Sequence, residues 1–251
     1  VDEGALRVVV LAGEAGAGKS RLADWIATRA HEVGAGHRFK ALHASGGHGR
    51  AEGLAGMVRR AFHTWKLSRG QAYDHMRRRL PPLDDDGHLR EADARALTEL
   101  LYPTGDLAES IEGPAYRFAS AEQRHALIGR LFERFGRRRA PIVWLDDLQW
   151  GPEATRLLTH LTSSATDPPA GLFIATVRSD LLADYPAICE QLEALVDDDR
   201  GRRIDLTALS PAHHRELIEQ MIPLQDQLAE RLADRTEGNP LFAVQLLGHW
   251  V

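Results

Sequence analysis

Cysteine is almost absent from this 251-residue chain: Cys189 is the only one. No intrachain disulfide can form, and such usage fits a reducing, cytoplasmic compartment. Lysine is scarce too; arginine carries most of the 31 basic side chains, set against 36 acidic ones. The net charge of −5 gives no general pull toward nucleic acid or an anionic membrane. No apolar run reaches membrane-spanning length and no signal peptide opens the chain. The twelve histidines are scattered, and even the pair His213-His214 lacks companions at metal-ligand spacing, which excludes a zinc site. There is no Gly-x-Ser-x-Gly elbow, and nothing beside Cys189 recommends it as a nucleophile. Abundant arginine, alanine and glycine suggest a GC-rich bacterial coding bias. The chain starts just before a strand-like run and stops inside a helical pattern at Gly248-His249-Trp250-Val251, so one module of a longer protein is expected.

What is present is concentrated near the start. Gly13-Glu14-Ala15-Gly16-Ala17-Gly18-Lys19-Ser20 fits GxxxxGK[ST], the phosphate-binding loop. It follows Arg7-Val8-Val9-Val10-Leu11-Ala12, a β-branched run that reads as a buried strand, and it leads into an amphipathic helix beginning at Arg21. Glycines let the backbone bend round a phosphate with its N–H groups inward, and the helix N-terminus adds a positive dipole end. Lys19 supplies a compact charge for β- and γ-phosphates and Ser20 a hydroxyl for Mg²⁺.

Strand patterns recur at 38–43, 142–145, 172–176 and 203–206, separated by helical patterns at 18–33, 51–67, 70–80, 89–101, 121–138, 153–163 and 184–196. Gly46-Gly47-His48-Gly49 and Asp84-Asp85-Asp86-Gly87 read as turns, and 102–120 as irregular. This alternation implies an α/β fold, a parallel sheet covered on both faces, over about 1–208. Ser210-Pro211 then opens three helices without strands, 211–222, 225–235 and 239–250, a helical lid over 209–251 that is cut short at its end. Ile142-Val143-Trp144-Leu145-Asp146-Asp147 is an apolar strand ending in two aspartates, as a Walker B segment does. Asp146 at its tip is the expected metal ligand, and Asp147 the expected general base toward water. Gln149 reads as a surface residue and Trp150 as packing. Arg178 follows the next strand, where strand ends line a ligand crevice; it either reaches a γ-phosphate or pairs with Asp180.

Taken together, these segments resemble the signal-transducing ATPases with numerous domains, the STAND branch of AAA+-like P-loop proteins. GEAGAGKSRL is similar to their Walker A segment, WLDDLQW to the bacterial Walker B, and TVRSD to the sensor segment whose arginine meets the γ-phosphate. LTALSPAHHRELIEQMI is similar to the entry of their lid, and TEGNPLFAVQLL to the lid motif in which Gly238, Asn239 and Pro240 bring a proline against adenine. The resemblance implies an ATP switch with Mg²⁺, slowly hydrolysing. Its nucleotide contacts would be Gly13, Glu14, Ala15, Gly16, Ala17, Gly18, Lys19, Ser20, Arg21, Asn239 and Pro240, with Arg178 and Lys19 at the γ-phosphate. It also implies fused output or sensor domains (helix-turn-helix, cyclase, kinase or helical repeats) and nucleotide-dependent self-association. Three features depart from the pattern. No upstream Gly-Arg segment precedes the first strand. Pro152 stands where relatives carry an aspartate, with Glu153 beside it as a substitute. No arginine finger is evident, and Arg137-Arg138-Arg139 reads as a solvated helix end.

Two other readings stay open. The module could hold nucleotide with little turnover, as a scaffold. It could also be a DNA-associated AAA+ ATPase, against which the net charge argues. Arg59-Arg60 and Arg77-Arg78-Arg79 read as solvated helix faces rather than a nucleic-acid patch.

Overall fold

A computed structural model describes residues 5–46, 49, 51–83, 87–104, 116–163, 169–221 and 226–248. Among them run β1 (Leu6–Gly13), α1 (Lys19–Glu32), β2 (Gly36–Leu42), α2 (Gly53–Phe62), α3 (Arg69–Arg79), α4 (Gly87–Leu101), α5 (Ala121–Gly136), β3 (Ala140–Asp146), α6 (Pro152–Ser163), β4 (Gly171–Arg178), α7 (Pro186–Asp197), β5 (Gly201–Leu206), α8 (Pro211–Met221), α9 (Asp226–Thr236) and α10 (Pro240–Gly248). The strands form one parallel sheet in the order β2-β3-β4-β1-β5. The crossover helices this requires put every loop that follows a strand at one end of the sheet.

Alternation along each strand divides the core in two. Val8, Val10, Phe39, Val143, Leu145, Phe173 and Ala175 point to the face carrying α2, α5, α6 and α7. Leu11, Ile142, Trp144 and Ile174 point to the other face, where Ala23 and Ala27 let α1 lie close to the sheet. The expected covered parallel sheet is therefore present. The three helices after β5 build a small core of their own from Ile218, Leu232, Ala243 and Leu247.

The expected helix over 51–67 is shorter than its pattern. His63 takes the left-handed conformation (φ 54°), and its N–H and that of Thr64 return to the carbonyls of Arg60 and Arg59. The Tyr102 hydroxyl fixes the following turn by reaching the carbonyls of Thr64 and Leu67, and a Ser68–Gln71 capping box starts α3. Arg59 is not on a solvated face either. It is buried, donates to the Leu101 carbonyl and lies over the Tyr102 ring. Asp84, Asp85 and Asp86 of the expected turn, much of the 102–120 stretch, part of the Gly46–Gly49 loop and the last three residues lie outside the described residues.

One buried charge node ties α4 to α5. Arg134, wholly buried, donates through Nε and Nη2 to Asp93 Oδ2 at 3.1 and 2.9 Å, while Arg130 holds Asp93 Oδ1. Removing one partner of a buried pair leaves the other charge desolvated and uncompensated. Asp93→Ala is expected to lower unfolding free energy by about 3–5 kcal/mol, read from the urea midpoint.

Candidate functional site

The loop 13–18 leaves β1 at the C-terminal edge of the sheet, beside the ends of β4 and β5. Gly18 occupies the position before α1 at φ 92°, a conformation that favours glycine, and has no side chain to cap the helix. The first-turn N–H groups of α1 are thus left facing the loop's concavity, the arrangement that binds anions. Lys19 is 6 % exposed and its Nζ donates to the carbonyls of Gly13 at 2.9 Å and Glu14 at 2.6 Å. The lysine arches over the loop, and burial holds its pKa below the usual ammonium value. Glu14, Ala15 and Ala17 contribute backbone to the same loop, and Arg21 follows in the first turn of α1.

Ser20 and Asp146 are 126 residues apart in sequence and meet at 2.7 Å, Oγ donating to Oδ1. Thr176 Oγ1, at the end of β4, donates to the same oxygen at 2.7 Å and accepts the N–H of Asp147 at 2.9 Å. A hydroxyl and a carboxylate oxygen are hard donors, and Mg²⁺ takes few protein ligands of that kind while keeping waters. Ser20 and Asp146 fit such an ion.

Asp147 takes the left-handed conformation (φ 52°, ψ 53°), uncommon for a non-glycine residue, and so turns out of β3 toward the P-loop. Burial raises its pKa; the Gln149 side chain and Lys19 act the other way. A short 3₁₀ turn, Leu148–Trp150, follows it. Gln149 is not the surface residue that its neighbourhood in sequence suggests. It is completely buried, its Nε2 donates to Asp147 Oδ1 at 3.2 Å, and its Oε1 accepts the Arg178 N–H at 3.2 Å. Gln149 and Thr176 are the two site residues that sequence reasoning missed. The available signal was a polar residue inside an apolar strand run (Thr176) and a two-residue offset from an aspartate (Gln149).

Arg178 lies opposite Gly13 in the sheet register. It lines the cleft over the P-loop, and its guanidinium is bonded to Asp180, 2.6 Å from Nη2 to Oδ2, which raises the arginine's pKa and lowers the aspartate's. Glu153, beside Pro152, has its carboxylate paired with Arg124 Nε at 2.8 Å.

The helices after β5 close over the loop. Asn239 caps α10, its Oδ1 accepting the N–H groups of Leu241 and Phe242 at 3.1 and 3.2 Å. Its Nδ2 donates to the Ala15 carbonyl at 3.0 Å. Gly16, at φ 82°, passes so close beneath that a Cβ there would strike the Asn239 amide. Two cavities flank this contact. One, of about 800 Å³, runs from Lys19, Ser20, Asp147 and Arg178 to an apolar wall of Leu217, Met221, Pro240, Leu241 and Val244, with Trp150 at its edge. The other, of about 600 Å³, is more polar and lies between the ends of β1 and β5 and the turn Arg235–Glu237. Pro240 faces the first and Asn239 the second, so two adjacent residues of one motif serve different spaces.

A family described as the AAA ATPase domain matches residues 1–175, which takes in the P-loop, the paired aspartates and the strand leading to Arg178. The chain belongs to that family. No curated protein sequence matches it. Among solved structures it is similar to a Signal Transduction ATPase with Numerous Domains protein with a tetratricopeptide repeat sensor from Pyrococcus horikoshii. That match has 17 % identity and a TM-score of 0.45, covering 94 % of this chain and 26 % of that one. It is also similar to a chain of a HORMA:CdnC:Trip13 complex of E. coli MS115-1, at 13 % identity and a TM-score of 0.43, covering 92 % of this chain and 59 % of that one. The chain therefore spans less than two thirds of either structure. Family and topology agree on a P-loop NTPase α/β fold for this AAA ATPase domain.

The lid contact is testable. Asn239→Ala removes both the α10 cap and the bond to Ala15, and a lost cap of this kind costs about 1 kcal/mol. The expected outcome is faster hydrogen exchange at the Leu241 and Phe242 amides, with exchange in β1 unchanged.

Proposed function

We propose that this AAA ATPase domain binds ATP with Mg²⁺ on its P-loop and hydrolyses it slowly to ADP and phosphate, as the STAND-type switch module of a bacterial signalling or transcription-regulatory protein. The observation that carries the reading is the convergence of Lys19, Ser20, Asp146 and Asp147 on one cleft whose far wall belongs to the lid. The backbone N–H groups of 14–19 cradle the phosphates, and Lys19 exchanges its carbonyl partners for the β- and γ-oxygens. Ser20 and Asp146 would hold Mg²⁺, which would supply neutralisation of charge on the phosphates. Asp147, made more basic by burial, accepts a proton from the attacking water. Pro240, Leu217 and Met221 form the apolar wall for the base, as the lid motif implies.

Slow turnover follows from the partners these groups already have. Arg178 must leave Asp180 to meet a γ-phosphate, and one oxygen of Asp147 is engaged by Gln149. The lid couples occupancy to shape, since α10 is capped by the same asparagine that bonds the P-loop. In this reading the module works in the cytoplasm, joined to sensor or output domains, with nucleotide-dependent self-association; neither membrane nor nucleic acid is contacted by it directly. The Arg178–Asp180 pair favours a second reading, a nucleotide-holding scaffold with little turnover.

Calorimetric titration of ATP and ADP with Mg²⁺ tests the first step: Lys19→Ala is expected to lose binding. Asp147→Asn is expected to keep binding and lose turnover by about a hundredfold or more, read as phosphate release. Binding without turnover in the unaltered protein would select the scaffold; no binding at all would end both readings.

A further inference from the structure

The segment Asp146–Gly151 carries the carboxylates, yet its conformation is unfavourable on its own. Asp147 sits in the left-handed region and a single 3₁₀ turn follows. Such geometry persists when neighbours over-determine it. Thr176 and Gln149 act from β4 and from within the segment. A third support comes from the other side, from His43, the residue after β2.

His43 grips the segment at both ends. At one end the Asp146 carbonyl accepts its backbone N–H at 3.2 Å and lies 2.8 Å from its Nδ1. A carbonyl oxygen only accepts, so Nδ1 carries the ring proton and Nε2 is bare. At the other end the ring lies flat against Gly151, where a Cβ would fall 2.6 Å from Cδ2 and 2.7 Å from Nε2. The Nε2 atom is buried and has no hydrogen-bond partner among the described residues. Its orientation is therefore set by the Nδ1 bond and by packing alone. Gly151 in turn presents its carbonyl to the N–H and hydroxyl of Thr155, starting α6. Shifting the ring would move either the strand end that bears Asp146 or the glycine that closes the turn after Asp147.

We propose that His43 is a positioning residue for hydrolysis: its Nδ1–H and ring clamp the main chain at Asp146 and Gly151, fixing where the two carboxylates point without itself touching nucleotide. The proposal rests on the ATP-hydrolysis reading, and its test separates the two. Asparagine can place an amide N–H near the Nδ1 position; glutamine places its amide where Nε2 stands, against Gly151 and without a partner. His43→Ala and His43→Gln are expected to lower kcat about tenfold to a hundredfold, as small displacements of catalytic groups do, while His43→Asn recovers most of it. The affinity for metal-free ATP is expected to stay within about twofold in all three, because the P-loop's own phosphate contacts do not involve Asp146. Hydrogen exchange across 146–151 should rise in the alanine and glutamine variants and stay low in the asparagine one. Gly151→Ala should lower kcat by pushing on the ring, and adding it to His43→Ala should cost nothing further. If His43→Asn performs no better than His43→Gln in both kcat and exchange, or His43→Ala leaves both unchanged, the clamp is refuted. If the unaltered protein binds ATP without turnover, the hydrolysis reading fails, and the order of the exchange rates alone decides whether His43 holds the segment.

Discussion

A single carboxylate oxygen joins the three elements that the site needs. Asp146 Oδ1 accepts from Ser20 on α1 and from Thr176 on β4 while Asp146 itself ends β3. The loop, the central strand and the neighbouring strand are thereby held to one point, at hydrogen-bond distance, in a partly buried setting where charge-assisted bonds are stronger than in water. Everything catalytic in the proposed reading hangs from this node. Thr176 passes the constraint to the Asp147 N–H, Gln149 relays it from Asp147 to the Arg178 N–H, and the register places Arg178 opposite Gly13, back at the start of the P-loop. A closed ring of contacts of this kind can hold Asp147 in a conformation that costs of order 1 kcal/mol or more when unsupported.

How much of this was legible in the sequence depends on how local the cause is. The strands β1, β3 and β4 were readable because each is a short apolar run that supplies both faces of a buried parallel sheet. The P-loop was readable because glycine spacing, Lys19 and Ser20 are all consecutive. The aspartate pair was readable because Ile142–Leu145 ends on it. Gln149 was not, since its burial comes from a 3₁₀ turn after the strand, and a lone glutamine just past an aspartate pair carries no mark of that. The overlong helix at 51–67 failed for a similar reason. Tyr102, some 40 residues downstream, fixes the turn after Phe62, and Arg59 follows it into the interior. Propensity reads a helix face as solvated until a distant ring covers it.

The lid shows the same division between local and distant causes. Asn239-Pro240 is a good helix start on local grounds alone, with an N-cap side chain and a proline in the first turn. The second use of the same amide, toward Ala15, needs Gly16 beneath it and depends on the fold having already brought residue 239 over residue 15. Because one side chain serves as both cap and latch, α10 cannot lift from the P-loop by a small rotation without losing either its own cap or the bond to Ala15. That couples the lid's position to its first turn of helix, and gives a nucleotide that reshapes the P-loop a route into the lid.

The two cavities on either side of that contact sharpen the argument about occupancy. Lys19 and Ser20 face the larger space, whose distal wall is aliphatic and has little to offer a charge but a good surface for a flat ring. The smaller, more polar space behind the loop is separated from Lys19 by the P-loop backbone and the Asn239 amide. In the proposed reading a base in the larger space would press on α8 and α10 through Leu217, Met221 and Leu241, and a γ-phosphate would meet Arg178 and Asp147 at the opposite end. The Asn239–Ala15 bond stands between the two cavities, where α10 meets the P-loop.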